Sequence, residues 1–226
     1  MPLTELERIA LFTNGEVCSN SIIMTERALF SRGQTCTLAG VDTILLGSWL
    51  RDGLIRSIEV GDRKHRRFPR IEVMLTAFLR EARNCHLNVA AMRALTMKIR
   101  DCVALFEDFS FSFDELLHAD GLRYGLPAQE VFEAYDSQPE WQSRAPDLKA
   151  RATKAAEIFP FDRWPDWRLG YGFCNATGIM MVWQDSTGKW LAQDSLPQDE
   201  RMPAASVVVF QWENICAIAW DAAGAR

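Results

Sequence analysis

Between Pro69 and Asn84 the residues Ile71, Met74, Leu75, Phe78, Leu79 and Ala82 recur at the spacing of one helical face. Proline suits the opening of such a helix, because its missing N–H has no partner in a first turn anyway. A second helix is expected from Leu87 to Phe106, where Met92, Leu95, Ile99, Cys102 and Phe106 step in a heptad rhythm. The rhythm lasts only two heptads, too short to define a coiled coil. Upstream, residues 3–12 predict a short helix and Asn14-Gly15 a turn. The run TCTLAG predicts a short helix closing at Gly40, and Asp42 suits the N-cap of the next. That next helix carries Leu45, Leu46, Trp49 and Leu50 and is expected to end at Gly53. Two short helices joined by a tight turn make a helix-turn-helix unit. Ile58 and Val60, then Gly61-Asp62, then Phe68, predict a β-hairpin directly after it.

Ser112 and Glu115 form a capping-box pattern before Leu116 and Leu117. Pro127 is expected to open a helix reaching Tyr135, and residues 146–158 to form another. From Phe159 the character changes. FPFDRWPDWRLGYGF is aromatic and interrupted by proline and glycine, and reads as a loop segment. GIMMVWQD, KWLAQ, ASVVVFQW and NICAIAW read as strands, with a hairpin turn at Asp185–Gly188. The expected fold class is therefore α+β in three parts. Residues 1–83 hold the helix-turn-helix and its hairpin, 84–158 form a helical linking or dimerisation region, and 159–226 form a small antiparallel sheet domain for sensing or protein contact.

Charge sharpens this picture at one place. The chain is acidic, with a formal net charge of -5. Residues 1–83 nevertheless carry 12 basic against 10 acidic side chains, and residues 84–226 carry 13 against 20. The excess is concentrated in Leu50–Arg70, which holds seven Lys or Arg against three Asp or Glu. A solvated, lysine-rich edge can serve merely to prevent sheet aggregation. Charge of one sign beside a helix-turn-helix points instead to a polyanion. No apolar stretch approaches the ~20 residues that span a bilayer. Glu5 and Glu7 ahead of a short apolar run do not make a secretory signal, so a cytoplasmic location is expected, with no membrane partner.

The spacing of Val41, Leu46, Trp49, Gly53-Leu54-Ile55 and Arg66-Arg67-Phe68 resembles the signature of the MerR-type winged helix, over residues of about 30–83. The resemblance implies a winged helix-turn-helix that binds double-stranded DNA. Its second helix would read the major groove through Thr43, Ser48 and Arg51, with Leu46 and Trp49 facing the core. The wing, with Arg63, Lys64, His65, Arg66 and Arg67, would lie along the phosphates. Family members often carry arginine where Gly47 stands, and the family's long dimerisation helix has no counterpart here. Effector sensing by metal or redox cysteines therefore does not carry over.

Other chemistry is sparse. The six cysteines are scattered without any C-x-x-C pair, and no cofactor or metal is expected. Cys174 lies in GYGFCNATG, read as a loop leading into a strand, with no histidine near it in sequence. Asn175-Ala-Thr177 matches a glycosylation sequon that a cytosolic chain would not use. Cys85-His86 lacks further ligands, and His118 with Asp120 reads as a helix terminus. The downstream tryptophans are expected to be mainly core, with Trp164 and Trp167 as candidates for a pocket rim. The expected function is a non-enzymatic, sequence-specific transcriptional regulator. It would act as a homodimer, with transcription machinery or a small effector engaged by the last domain. Two alternatives are an architectural DNA-binding factor, excisionase-like or for plasmid maintenance, and an adaptor or enzyme acting through residues after 159.

Overall fold

The computed structural model of the protein describes residues 29–61, 65–194 and 207–216. The expectations for residues 3–12 and Asn14-Gly15, and for Arg63 and Lys64, lie outside the described residues. The chain is mixed α+β, with two small antiparallel sheets among many helices. Among the described residues no helix is long and apolar enough to cross a membrane.

A two-residue strand β1 (Leu29–Phe30) leads into α1 (Arg32–Ala39). Ser31 caps α1 in a reciprocal pair with Gln34, which satisfies donors that the first turn leaves open. Gly40 ends α1 at φ 66°, a left-handed conformation that glycine adopts without steric cost. Helix α2 (Thr43–Arg51) follows, capped by the Asp42 carboxylate, which accepts from Leu45 N at 2.7 Å. The hairpin is β2 (Ile58–Val60) and β3 (His65–Pro69), with Ile58 opposite Arg67, Glu59 opposite Arg66 and Val60 opposite His65. Strand β1 adds to the other edge of β3, placing Phe30 opposite Phe68 and giving the order β1-β3-β2.

Helices α3 (Arg70–Asn84) and α4 (Val89–Asp108) bury most of the expected apolar positions, Ile71 and Phe106 only in part, and α3 departs from a single buried face because every residue from Glu72 to Leu79 is enclosed. Those stripes serve the chain's own core. One continuous apolar cluster runs from Phe30 through Leu46, Trp49, Phe68 and Phe78 to Phe210 and Trp212. Phe78 on α3 meets the rings of Phe210 at 5.1 Å and Trp212 at 5.6 Å, so the first helices and the second sheet share a core. Helices α5 (Phe113–Arg123), α6 (Ala128–Ser137) and α8 (Ala145–Ile158) build two smaller clusters beside it, and the single turn α7 (Pro139–Gln142) buries no residue. The capping box at Ser112 and Glu115 is formed as the sequence requires.

The aromatic segment after Phe159 departs from expectation. A short 3-10 turn at Phe161–Arg163 leads into α9 (Trp164–Cys174), an α-helix where a loop was expected. Pro165 sits in the first turn, where it breaks no hydrogen bond. The glycines that suggested a loop are contact points. A Cβ on Gly170 would lie 2.1 Å from the carbonyl oxygen of Cys102 on α4, and one on Gly172 would lie 2.6 Å from Thr177 O. Glycine here lets two backbones approach. Gly170→Ala is therefore expected to destabilise the protein by about 1–3 kcal/mol, despite alanine's better helix propensity, as read by chemical denaturation.

The second sheet has β4 (Ile179–Gln184) at its centre, with β5 (Trp190–Gln193) on one side and β6 (Val208–Gln211) on the other. The hairpin turn is held by Asp185, whose Oδ1 accepts from Thr187 N, Thr187 Oγ1 and Lys189 N. NICAIAW does not continue the sheet where it is described: Asn214–Cys216 are helical, and the remainder lies outside the described residues. Trp212 N is tied to Gly178 O at 3.0 Å, which ends the β6 ladder and turns the chain.

Candidate nucleic-acid interface

Helix α2 is amphipathic. Leu46 and Trp49 are buried, Trp49 to 2% exposure, while Thr43, Ile44 and Arg51 face solvent. Ile44 is 81% exposed, an unusual place for an isoleucine in a helix whose other side is core. Ser48 is half-buried and its hydroxyl donates to Asp52 Oδ2 at 3.3 Å. Arg51 makes no ion pair among the described residues.

The exit of α2 is fixed from α4. Arg93 Nη2 donates to Asp52 O at 2.9 Å, and Arg100 Nη2 donates to Leu54 O at 2.8 Å. Arg100 also pairs bidentately with Glu72 of α3, at 3.0 Å and 2.8 Å. The second Glu72 oxygen accepts from Arg56 N at 2.8 Å. This nearly buried network locks the segment joining α2 to the hairpin. At the other end, Arg80 of α3 donates to Ala39 O at 2.9 Å and holds the turn between α1 and α2.

On the hairpin, His65 and Arg66 are exposed and Arg67 is half-buried. None of the three side chains has an acidic partner among the described residues, although Glu59 stands opposite Arg66 in the ladder. Together with Ser31, Arg32 and Gly33 they line a concave surface of about 450 Å³. The fold thus gathers His65, Arg66 and Arg67 with a cation the sequence reading did not include, Arg32. The Arg32 guanidinium donates to Thr43 O and lies across α2, 2.9 Å from the position a Cβ on Gly47 would take. The one local hint was the glycine in mid-helix. Thr43, Ser48 and Arg51 lie on α2 as expected, Thr43 and Arg51 on its solvent side.

The remaining candidates take structural positions. Burial pushes the Cys174 thiol up to about 12, with Glu107 adding to the shift, so the thiolate is scarce at neutral pH. Cys174 ends α9 where a loop was expected. Trp164 is partly buried and Trp167 belongs to an aromatic core rather than a pocket rim. Trp167 is fully buried and stacks between Trp164 and Tyr171 at 5.5 Å from each, in an aromatic core. His118 stacks on Phe132 at 5.3 Å, with Nδ1 2.6 Å from Asp114 O. Among the described residues there is no group of three or more His, Cys, Asp or Glu that could hold a metal ion. Comparison with family models, curated proteins and solved structures finds no match for the chain.

Proposed function

We propose that the protein is a transcriptional regulator that binds double-stranded DNA in a sequence-specific way through a MerR-like winged helix-turn-helix. Helix α2 enters the major groove and the β2–β3 wing grips the flanking phosphates. The observation that carries this reading is the pairing of two features on one surface. One is a helix rigidly held at both ends with a solvent-facing side; the other is a hairpin whose arginines have no carboxylate partner among the described residues. Cations without a carboxylate partner among the described residues of an acidic protein are placed to meet an external anion. Phosphate contacts fix register, and base contacts from the helix supply specificity. In a dimer, two such units would read paired half-sites. The stripes of α3 and α4 are spent inside the chain, so dimerisation would use other faces.

The test is genome-wide footprinting with the wild-type protein and with an Arg66→Ala/Arg67→Ala variant. The wild type is expected to occupy a defined motif. The variant is expected to bind all sequences more weakly, and its plot of log affinity against log salt should flatten by about one per lost contact. Occupancy without a motif would favour an architectural factor. No salt-sensitive DNA affinity at all would remove the reading and favour an adaptor or enzyme.

A further inference from the structure

We infer that Arg32, carried by the first helix of the unit, is a base-reading residue of the DNA surface, and that Gly47 exists to seat it. The inference rests on the DNA-binding reading above and deepens it. Thr43, Gly47 and Arg51 follow one another at four-residue intervals on the solvent side of α2, so they form a single stripe. The middle position of that stripe has no side chain. Its place is filled from outside the helix by the Arg32 guanidinium, whose Nη2 lies 2.9 Å from where a Gly47 Cβ would be and donates to Thr43 O. A cation therefore occupies the centre of the helix face that would enter the groove, although α2 does not encode one there.

The geometry suits a base edge. One guanidinium nitrogen is anchored on the Thr43 carbonyl, which fixes the plane of the group. The remaining N–H donors have no partner among the described residues, and a guanidinium presents five in a rigid fork. Such a fork matches the O6 and N7 acceptors of guanine bidentately. A mid-helix glycine costs about 1 kcal/mol relative to alanine, so a side chain would be favoured here on stability alone. The vacancy is used by a neighbour. Arg32 is solvent-exposed, and its loss opens no core. Arg32 also borders the concave surface shared with His65, Arg66 and Arg67, so the groove-facing stripe and the phosphate clamp are continuous.

Two variants separate this role from a general electrostatic one. Arg32→Ala removes the fork. Gly47→Ala keeps Arg32 but puts a methyl group where its tip rests. The obstacle is the end of a flexible side chain, so the helix stands and the guanidinium is displaced. The probe is a duplex carrying the consensus that the wild-type protein selects from a random-sequence library, together with every single-base-pair change of it. Arg32→Ala is expected to lose about 5- to 150-fold of discrimination at one G·C pair, while binding to random-sequence duplex changes little. Gly47→Ala is expected to lose discrimination at the same pair while its Tm holds or rises. Uniform weakening of Arg32→Ala across all duplexes, or full discrimination in Gly47→Ala, would overturn base reading and leave the proposed function standing. Failure of the wild-type protein to select any consensus would overturn both.

Discussion

Trp49→Ala is expected to lower stability by about 3–5 kcal/mol, the usual cost of truncating a buried aromatic. For a chain of this size that is a fall in Tm of about 6–20 °C. The magnitude follows from its position. The indole is 2% exposed within the core cluster that also contains Leu46, Leu54 and Phe68. The same residue ends α2, because its carbonyl accepts from Leu54 N at 2.9 Å and Ile55 N at 3.3 Å. The side chain thus packs the helix against the core while the backbone turns the chain toward the β2–β3 hairpin. Loss of specific DNA binding is expected to accompany the loss of stability, even at temperatures where the variant is folded. Calorimetry and binding to the selected consensus check the two parts. Trp49→Phe retains an aromatic anchor and is expected to lose less of both, which keeps the test informative where the alanine variant fails to fold. A folded alanine variant with undiminished sequence discrimination would remove α2 from the proposed reading role.

Arg100→Ala is expected to cost a similar 3–5 kcal/mol, for a different reason. Removing one member of a buried ion pair leaves the other charged and without compensation. Glu72 would be stranded with its side chain 5% exposed, and Leu54 O would lose its donor. The Glu72→Met/Arg100→Met variant is expected to recover part of this loss, since apolar groups of similar length fill the same space. Recovery is incomplete because Arg56 N also depends on the Glu72 carboxylate. Urea denaturation of the single and double variants measures the coupling. Equal destabilisation by Arg100→Ala and the double variant would show that packing, not the ion pair, fixes this segment. DNA affinity is expected to fall in Arg100→Ala as well, because the link between α2 and the hairpin is no longer held.

Much of the local structure was legible because its causes are local. Asp42 caps α2 and Gly40 closes α1 through atoms only a few residues away. The capping box at Ser112 and Glu115 and the turn at Asp185 have equally short-range chemistry. The stripe of α4 was legible because burial imposes a 3.6-residue period on a helix packed against a core on one side, whereas the enclosure of α3 from Glu72 to Leu79 on all sides was not. Where the reading of α9 went astray, the cause was a distant partner. Glycine signals a loop when only neighbours in sequence are considered, but Gly170 answers to a carbonyl 68 residues earlier. The same holds for Trp167, whose burial depends on Phe106, Phe159 and Tyr171 meeting around it. The candidate interface divides in the same way. His65, Arg66, Arg67, Thr43, Ser48 and Arg51 were singled out from the basic run and the resemblance to the MerR-type winged helix, whereas Arg32, which folding sets beside Gly47, was not.

The order of residues alone determined where α1 to α6 and α8 lie, give or take a few residues, where apolar side chains recur and where positive charge collects, since each depends on interactions within a few positions of the chain. Only the tertiary structure decided which of those elements share one core, which glycines admit a neighbouring backbone and which arginine lies over Gly47. Such contacts join residues far apart in sequence, and the chain carries no local mark of a partner that folding alone brings within reach.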